Sequence, residues 1–130
     1  LIVVDASALL EVLLNTRAGA LVARRLFIET ETLHAPHLLD VEVAQVLRRY
    51  ALSGELEDTR GAQVLEDLAD FPITRYPHDL LLPRIWELRH NMTAYDAAYI
   101  ALAEALAAPL LTRDVGLASA PGHNARIEVV

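Results

Sequence analysis

Leu1 to Val4 is an unbroken apolar run rich in β-branched residues, and it predicts a short strand buried on both faces. Behind it, apolar positions recur at helical spacing through Ala8, Leu9, Val12 and Leu13. After Asn15 and Thr16 they recur again through Leu21, Val22, Leu26 and Phe27. Thr32 to Pro36 reads as a weak strand or an extended loop. A longer helix follows from about Leu38 to Ser53, with Leu39, Val43, Val46, Leu47 and Tyr50 inward and Ser53-Gly54 ending it. Glu57 to Ala69 predicts another helix, closed by Phe71-Pro72, then a strand at Ile73 to Tyr76 and a helix at Leu80 to Arg89. Thr93 to Ala107, rich in alanine and leucine, is the clearest helix. Pro109 to Thr112 gives a strand, Asp114 to Ala118 a short helix, and Ile127 to Val130 a last strand. Strands alternating with helices predict a parallel sheet covered on both faces, an arrangement in which ligands collect beyond the carboxyl ends of the strands.

A length of 130 residues with 54% hydrophobic and 22% charged positions fits a single domain with a continuous core. No apolar run approaches the roughly 18 to 20 residues of a membrane span, and Asp5 cuts the opening run too early for a signal peptide. The lack of cysteine excludes disulfides, thiolate metal sites and thiol nucleophiles, and leaves the cytoplasm as the default compartment. All 11 basic residues are arginine. Without lysine there is no Walker A phosphate loop, no Schiff base and no receiver-type lysine. The net charge of -7 argues against nonspecific adhesion to nucleic acid. Bound divalent metal and local patches at Arg24-Arg25 and Arg48-Arg49 would soften that objection.

Four acids stand out: Asp5 in Val3-Val4-Asp5-Ala6-Ser7, Glu42 in Asp40-Val41-Glu42-Val43-Ala44, Asp96 in Ala94-Tyr95-Asp96-Ala97-Ala98, and Asp114 in Leu111-Thr112-Arg113-Asp114. Each has an ordinary explanation. Asp5 and Asp114 can cap the helices they precede, Thr93 and Asp96 have a capping-box-like offset, and Glu42 suits a first helical turn. Caps, however, draw on Ser, Thr and Asn as readily as Asp, so capping alone gives no reason for carboxylates to recur along one edge. Val3, Val4, Val41, Val43, Ala97, Ala98 and Leu111 would also desolvate them, and like charges in such a cleft raise one another's pKa unless a cation intervenes. Oxygen ligands of this kind suit a hard divalent cation, and so metal-dependent phosphodiester chemistry. Hydrolysis by water that expels the 3′-oxygen would leave a 5′-phosphate and a 3′-hydroxyl.

The stretches Val3-Val4-Asp5-Ala6-Ser7-Ala8-Leu9, Pro36-His37-Leu38-Leu39 through Glu42 to Val46-Leu47-Arg48-Arg49, Tyr95-Asp96-Ala97-Ala98-Tyr99-Ile100-Ala101-Leu102-Ala103 and Leu110-Leu111-Thr112-Arg113-Asp114 occur in the order and spacing of a known family. Over essentially its whole length the chain resembles the PIN domains, and among them the VapC-type toxins of bacterial toxin-antitoxin pairs. The resemblance implies one PIN-like domain over 1–130, a three-layer α/β/α sandwich around a mainly parallel sheet. It implies that Asp5, Glu42, Asp96 and Asp114 bind one or two Mg2+ or Mn2+ ions and activate water for RNA cleavage. Asp5 and Asp96 would be the direct ligands of the best-held ion, Glu42 and Asp114 would act directly or through water, and Ser7 and Thr112 would be supporting hydroxyls. It further implies an RNA substrate such as tRNA or rRNA, a homodimer, and a VapB-like antitoxin whose tail lies across the acidic cleft.

Arg89, Arg113 and Arg48 are the candidates for phosphate contact, because arginine makes bidentate bonds to phosphate oxygens; solvated helix faces are the plainer account of the arginine pairs. His34 and His37 are spaced like a metal pair but lack a third ligand, so a loop leading to the Glu42 helix is the simpler reading. His78, His90 and His123 have no catalytic spacing. Trp86, near Leu82 and Leu88, is expected to pack in the core or an interface. Leu9, Leu10, Leu13, Leu14, Leu21, Leu26 and Phe27 exceed the needs of one small core and leave material for a partner surface. Dehalogenase-like phosphatases need an acid where Ser7 stands. A PIN-like module that binds RNA or protein without cutting is the alternative function, disfavoured by the presence of all four acids.

Overall fold

Five strands, β1 (Ile2–Val4), β2 (Leu33–Pro36), β3 (Ile73–Tyr76), β4 (Leu110–Thr112) and β5 (Ile127–Val129), form one sheet in the computed structural model, which describes residues 1–130. Their order is β3-β2-β1-β4-β5 and every pairing is parallel, so the expected mainly parallel sheet is wholly parallel. Parallel neighbours need a crossover, and the sequence supplies helices for each. They are α1 (Ala6–Leu13), α2 (Arg17–Leu26), α3 (Leu38–Leu52), α4 (Asp58–Asp70), α5 (Leu82–Glu87), α6 (Ala94–Leu106) and α7 (Val115–Ser119).

The chain winds from β1 out to β3, then jumps back over β2 and β1 to β4. Crossovers of one hand therefore put α1 to α4 on one face and α5 and α6 on the other. In agreement, α1 packs on α2, α3 and α4, while α6 packs on α5 and spans β2, β1 and β4. Ile2, Val3, Val4, Leu110 and Leu111 have no exposed surface, which accounts for runs that do not alternate. Helix α6 is buried without a break from Ala97 to Ala103, and its alanines let it lie close to the sheet.

Two expectations change. Leu80 to Arg89 is a 3-10 turn (Asp79–Leu81) followed by the short α5, because Pro83 cannot continue a helix from before it and instead sits in the first turn of a new one. Trp86 is not core: it is 68% exposed, with the Arg89 guanidinium 4.6 Å from its ring centroid. Among the leucines of the first half, Leu9, Leu10, Leu13 and Leu26 are buried, whereas Leu21 and Phe27 are exposed. No single helix is long and apolar enough to cross a membrane; α1 and α2 together pass by composition but are bent by 113°.

Helices α1 and α2 cross where Gly19 lies against the first helix, and a Cβ there would sit 2.3 Å from the Glu11 backbone oxygen. Gly19→Ala is expected to cost about 1–3 kcal/mol, read as a lower urea midpoint. Gly61→Ala in α4, where the nearest atom would be a Leu56 methyl at 3.5 Å, is expected to be neutral or to stabilise by about 0.5–1 kcal/mol.

Candidate active site

Strand order reverses between β1 and β4: the chain leaving β1 goes to one side and the chain leaving β4 to the other, which opens a crevice at their carboxyl ends. Asp5 follows β1 and caps α1, its Oδ1 accepting from the Ala8 N–H at 3.1 Å. Asp114 follows β4 by two residues and caps α7 through Gly116 N–H at 2.9 Å. Asp96 lies in the first turn of α6, capped by Thr93. Glu42 is not in a first helical turn, because α3 begins at Leu38; Asp40 holds that place and is paired with Arg75 at 2.8 Å. Capping therefore accounts for part of the pattern and leaves Glu42 unexplained.

Asp5 is only 8% exposed and accepts from three donors, two on Oδ1 and one on Oδ2. Ser7 Oγ donates to its Oδ1 at 2.6 Å and Thr112 Oγ1 to its Oδ2 at 2.5 Å. Both hydroxyl hydrogens thus point at Asp5, and the hydroxyl oxygens in turn accept from the Arg113 N–H (Ser7, 3.0 Å) and the Asp114 N–H (Thr112, 3.0 Å). The loops after β1 and β4 are knitted together through one carboxylate. Tyr99, 3% exposed on α6, donates to Glu42 Oε1 at 2.6 Å. Sequence reasoning passed over Tyr99, although its three-residue offset from Asp96 places the two on one helical face.

Asp5 and Asp96 lie within electrostatic reach of each other and of both Glu42 and Asp114. Burial raises the Asp5 pKa more than its three hydrogen bonds lower it, and the Asp114 charge raises it further. Burial raises Glu42, against the Tyr99 bond, with Asp5 and Asp96 adding to the rise. Burial, then Asp114 and Asp5, raise Asp96. None of the four has an arginine partner, although Glu31, Asp40, Glu87, Glu104 and Glu128 all do. The carboxylate oxygens nonetheless do not close on a common point: no three His, Asp or Glu side chains are grouped tightly enough to grip an ion. The expected ready-made cup is therefore a looser ring, in which Asp5, Glu42 and Asp114 each take bonds from adjacent donors.

Beside Glu42, a groove of ≈ 550 Å³ runs along α3, lined by Ser7, Leu38, Val41, Gln45, Arg49 and Tyr95 among others. Arg49 lines it and Arg48 does not, because Arg49 is seven residues from Glu42 and shares its helical face. Arg113 is turned to the Val130 carbonyl at 2.5 Å, and Arg89 to the Trp86 carbonyl at 2.9 Å. His34 is buried in β2 between Thr32 and Tyr76, His37 faces the His78 ring, and His78 accepts from the Leu38 N–H at the start of α3, so the histidines form no metal pair.

The PIN domain family model matches residues 2–122. The chain belongs to the PIN domain family. Within it the similarity is to VapC proteins: Mycobacterium tuberculosis Ribonuclease VapC1 is 46% identical over 129 residues, covering 98% of this chain and 96% of that one. Two solved structures share the PIN fold. Mycobacterium tuberculosis VapC20, a sarcin-ricin loop cleaving toxin, superposes with a TM-score of 0.71 at 13% identity, covering 92% of this chain and 94% of its own. Rickettsia felis VapBC2, bound to a DNA fragment from its promoter, gives 0.71 at 12% identity, covering 99% and 98%.

Two outcomes follow for this PIN domain. Asp5, Glu42 and Asp96 hold protons more tightly folded than unfolded, so without divalent cations stability is expected to fall as pH rises past their ordinary values of 3.8 and 4.5 and through the raised ones. Urea midpoints at pH 5 and pH 7.5 check the sign, and Asp5→Asn should flatten the slope. Thr112→Val removes a donor to Asp5 and the acceptor of the Asp114 N–H. It is expected to cost about 1–3 kcal/mol and to raise the Asp5 pKa further, read by denaturation and by NMR titration of the carboxyl.

Proposed function

We propose that this VapC-type PIN domain, one domain over residues 1–130, is a divalent-metal-dependent endoribonuclease and the toxin of a toxin-antitoxin pair. The observation that carries this is the group of four carboxylates without arginine partners at the sheet's reversal point, Asp5 and Asp96 each repelled by the others. Such a ring is costly for a protein to keep at neutral pH unless a cation shares it. The similarity to a protein named Ribonuclease VapC1 over nearly the whole chain supports RNA as substrate.

The donor set suits a hard cation: carboxylate oxygens, with hydroxyls behind the most buried of them and no bonded basic side chain. Asp5 and Asp96 would hold Mg2+ or Mn2+, with Glu42 and Asp114 contributing directly or through water. When bound, one or two such ions supply an attacking water of lowered pKa and stabilise the leaving oxygen. The chain's own part is to fix Asp5 and partly offset the burial that opposes its ionised form through Ser7 and Thr112, and to hold Glu42 through Tyr99. A cytoplasmic tRNA or rRNA target, a homodimer and neutralisation by a VapB-like antitoxin complete the proposal. The last is supported by the likeness to VapBC2.

Purified protein with Mg2+ or Mn2+ is expected to cut total RNA, leaving 5′-phosphate and 3′-hydroxyl ends, and Asp5→Asn to lower the rate by about 100-fold or more. Cutting that persists in EDTA, or that leaves cyclic phosphates, would sink the proposal. Mg2+ at 100 times its Kd is expected to add about 2.7 kcal/mol of stability at pH 7.5, and less at pH 5 where protons compete.

A further inference from the structure

The chain has 11 arginines and no lysine, so its capacity to hold an anion rests on the arginines left uncommitted. Seven are engaged. Arg25, Arg75, Arg84 and Arg126 pair with carboxylates, Arg60 donates to the Leu13 carbonyl, Arg89 to that of Trp86 and Arg113 to that of Val130. Arg17, Arg24, Arg48 and Arg49 remain, and of these Arg49 alone lines a groove that also contains residues of the carboxylate ring and its support, Glu42 and Ser7.

The groove has a polar end and an apolar wall. Glu42, Gln45 and Arg49 follow one another along one face of α3, with Arg49 about 10 Å from Glu42 along the helix axis. Val41 and Tyr95 form the exposed wall, Tyr95 immediately preceding Asp96. Neither the Tyr95 hydroxyl nor the Gln45 amide is used inside the fold. A cation, a free aromatic face and a free amide thus lie together, continuous with the proposed cutting site, on a protein of net charge -7 that otherwise repels polyanions.

We propose that this groove seats the single-stranded RNA flanking the scissile bond, Arg49 holding a neighbouring phosphate and Tyr95 offering its ring to a base. It rests on the ribonuclease reading and names where the substrate lies. Charge complementarity selects the occupant: the exposed cation belongs to the toxin side, and the group missing opposite it is an anion repeated along a chain. An acidic protein segment would be repelled by the carboxylate ring at the groove's other end, whereas on the ribonuclease reading the scissile phosphate of RNA would share the ring's divalent cation.

The test uses a fluorescein-labelled 12-nucleotide RNA of mixed sequence and fluorescence anisotropy from 50 to 200 mM salt, in an Asp5→Asn background that cannot cut. Arg49→Ala is expected to weaken binding about 10-fold at 50 mM and to reduce the slope of log K against log salt by about 0.7, the loss of one single-strand phosphate contact. Arg49→Lys should keep the slope, and Arg48→Ala, on another face of the same helix, should leave both within twofold. Tyr95→Ala should weaken binding at least about 5-fold, while Tyr95→Phe retains it. If Arg49→Ala and Arg48→Ala behave alike, or the slope is unchanged, the subsite is wrong even where Asp5-dependent cleavage stands; RNA binding untouched by Arg49 would leave the groove to a protein partner. If the unsubstituted protein neither cuts nor binds RNA, both proposals fall together.

Discussion

Asp5 occupies the point where the parallel sheet reverses its winding, and a carboxylate so deeply buried must be compensated on the spot. The compensation comes from two hydroxyls and one backbone N–H, with Ser7 and Ala8 on the α1 side and Thr112 at the end of β4. Those hydroxyls accept in their turn from Arg113 and Asp114, so the bond network that tolerates the charge also joins two strand ends more than 100 residues apart in sequence. Closure of the fold at this edge and the electrostatics of the crevice are one interaction. Hydrogen bonds to the charged form lower the Asp5 pKa, but burial outweighs them, so the network limits the penalty without removing it.

The rest of the site follows from that residual penalty. Glu42 and Asp96 arrive on α3 and α6 from opposite faces of the sheet, and each adds negative charge that no arginine pairs with. Elsewhere the chain pairs its acids freely, as Arg25 does with Glu31 and Glu128, and Arg84 with Glu87 and Glu104. The contrast marks the crevice as a place where negative potential is kept. On the proposed reading, a protein of net charge -7 would address RNA through a shared cation and a small number of uncommitted arginines.

The order of the elements was legible because the strands are continuous apolar runs and the helices are bounded by residues such as Gly54, Pro72 and Pro109. Asp5 and Asp114 were placeable because each lies within two residues of a strand's end. Strand order was not legible, since β1 pairs with β2 and β4, and nothing local in Val3 or Leu111 names that partner. The helix through Leu80 to Arg89 failed because leucine spacing outweighed the break at Pro83, and the same periodicity offered the core as one of two places for Trp86, which is exposed. Arg49 was distinguishable from Arg48 by helical phase relative to Glu42, a signal present in the sequence but not used. Tyr99 and the looseness of the carboxylate ring depend on side-chain rotamers, which sequence pattern does not encode.

The central claim is that Asp5, Glu42, Asp96 and Asp114 share a cation in the β1/β4 crevice. A crystal of the protein grown with Mn2+ and measured for anomalous scattering tests this most directly. The account predicts a peak in the crevice within about 2.5 Å of carboxylate oxygens of Asp5 and Asp96, with Glu42 and Asp114 turned toward it. Mn2+ bound elsewhere, or a crevice without anomalous density at saturating Mn2+, would contradict it.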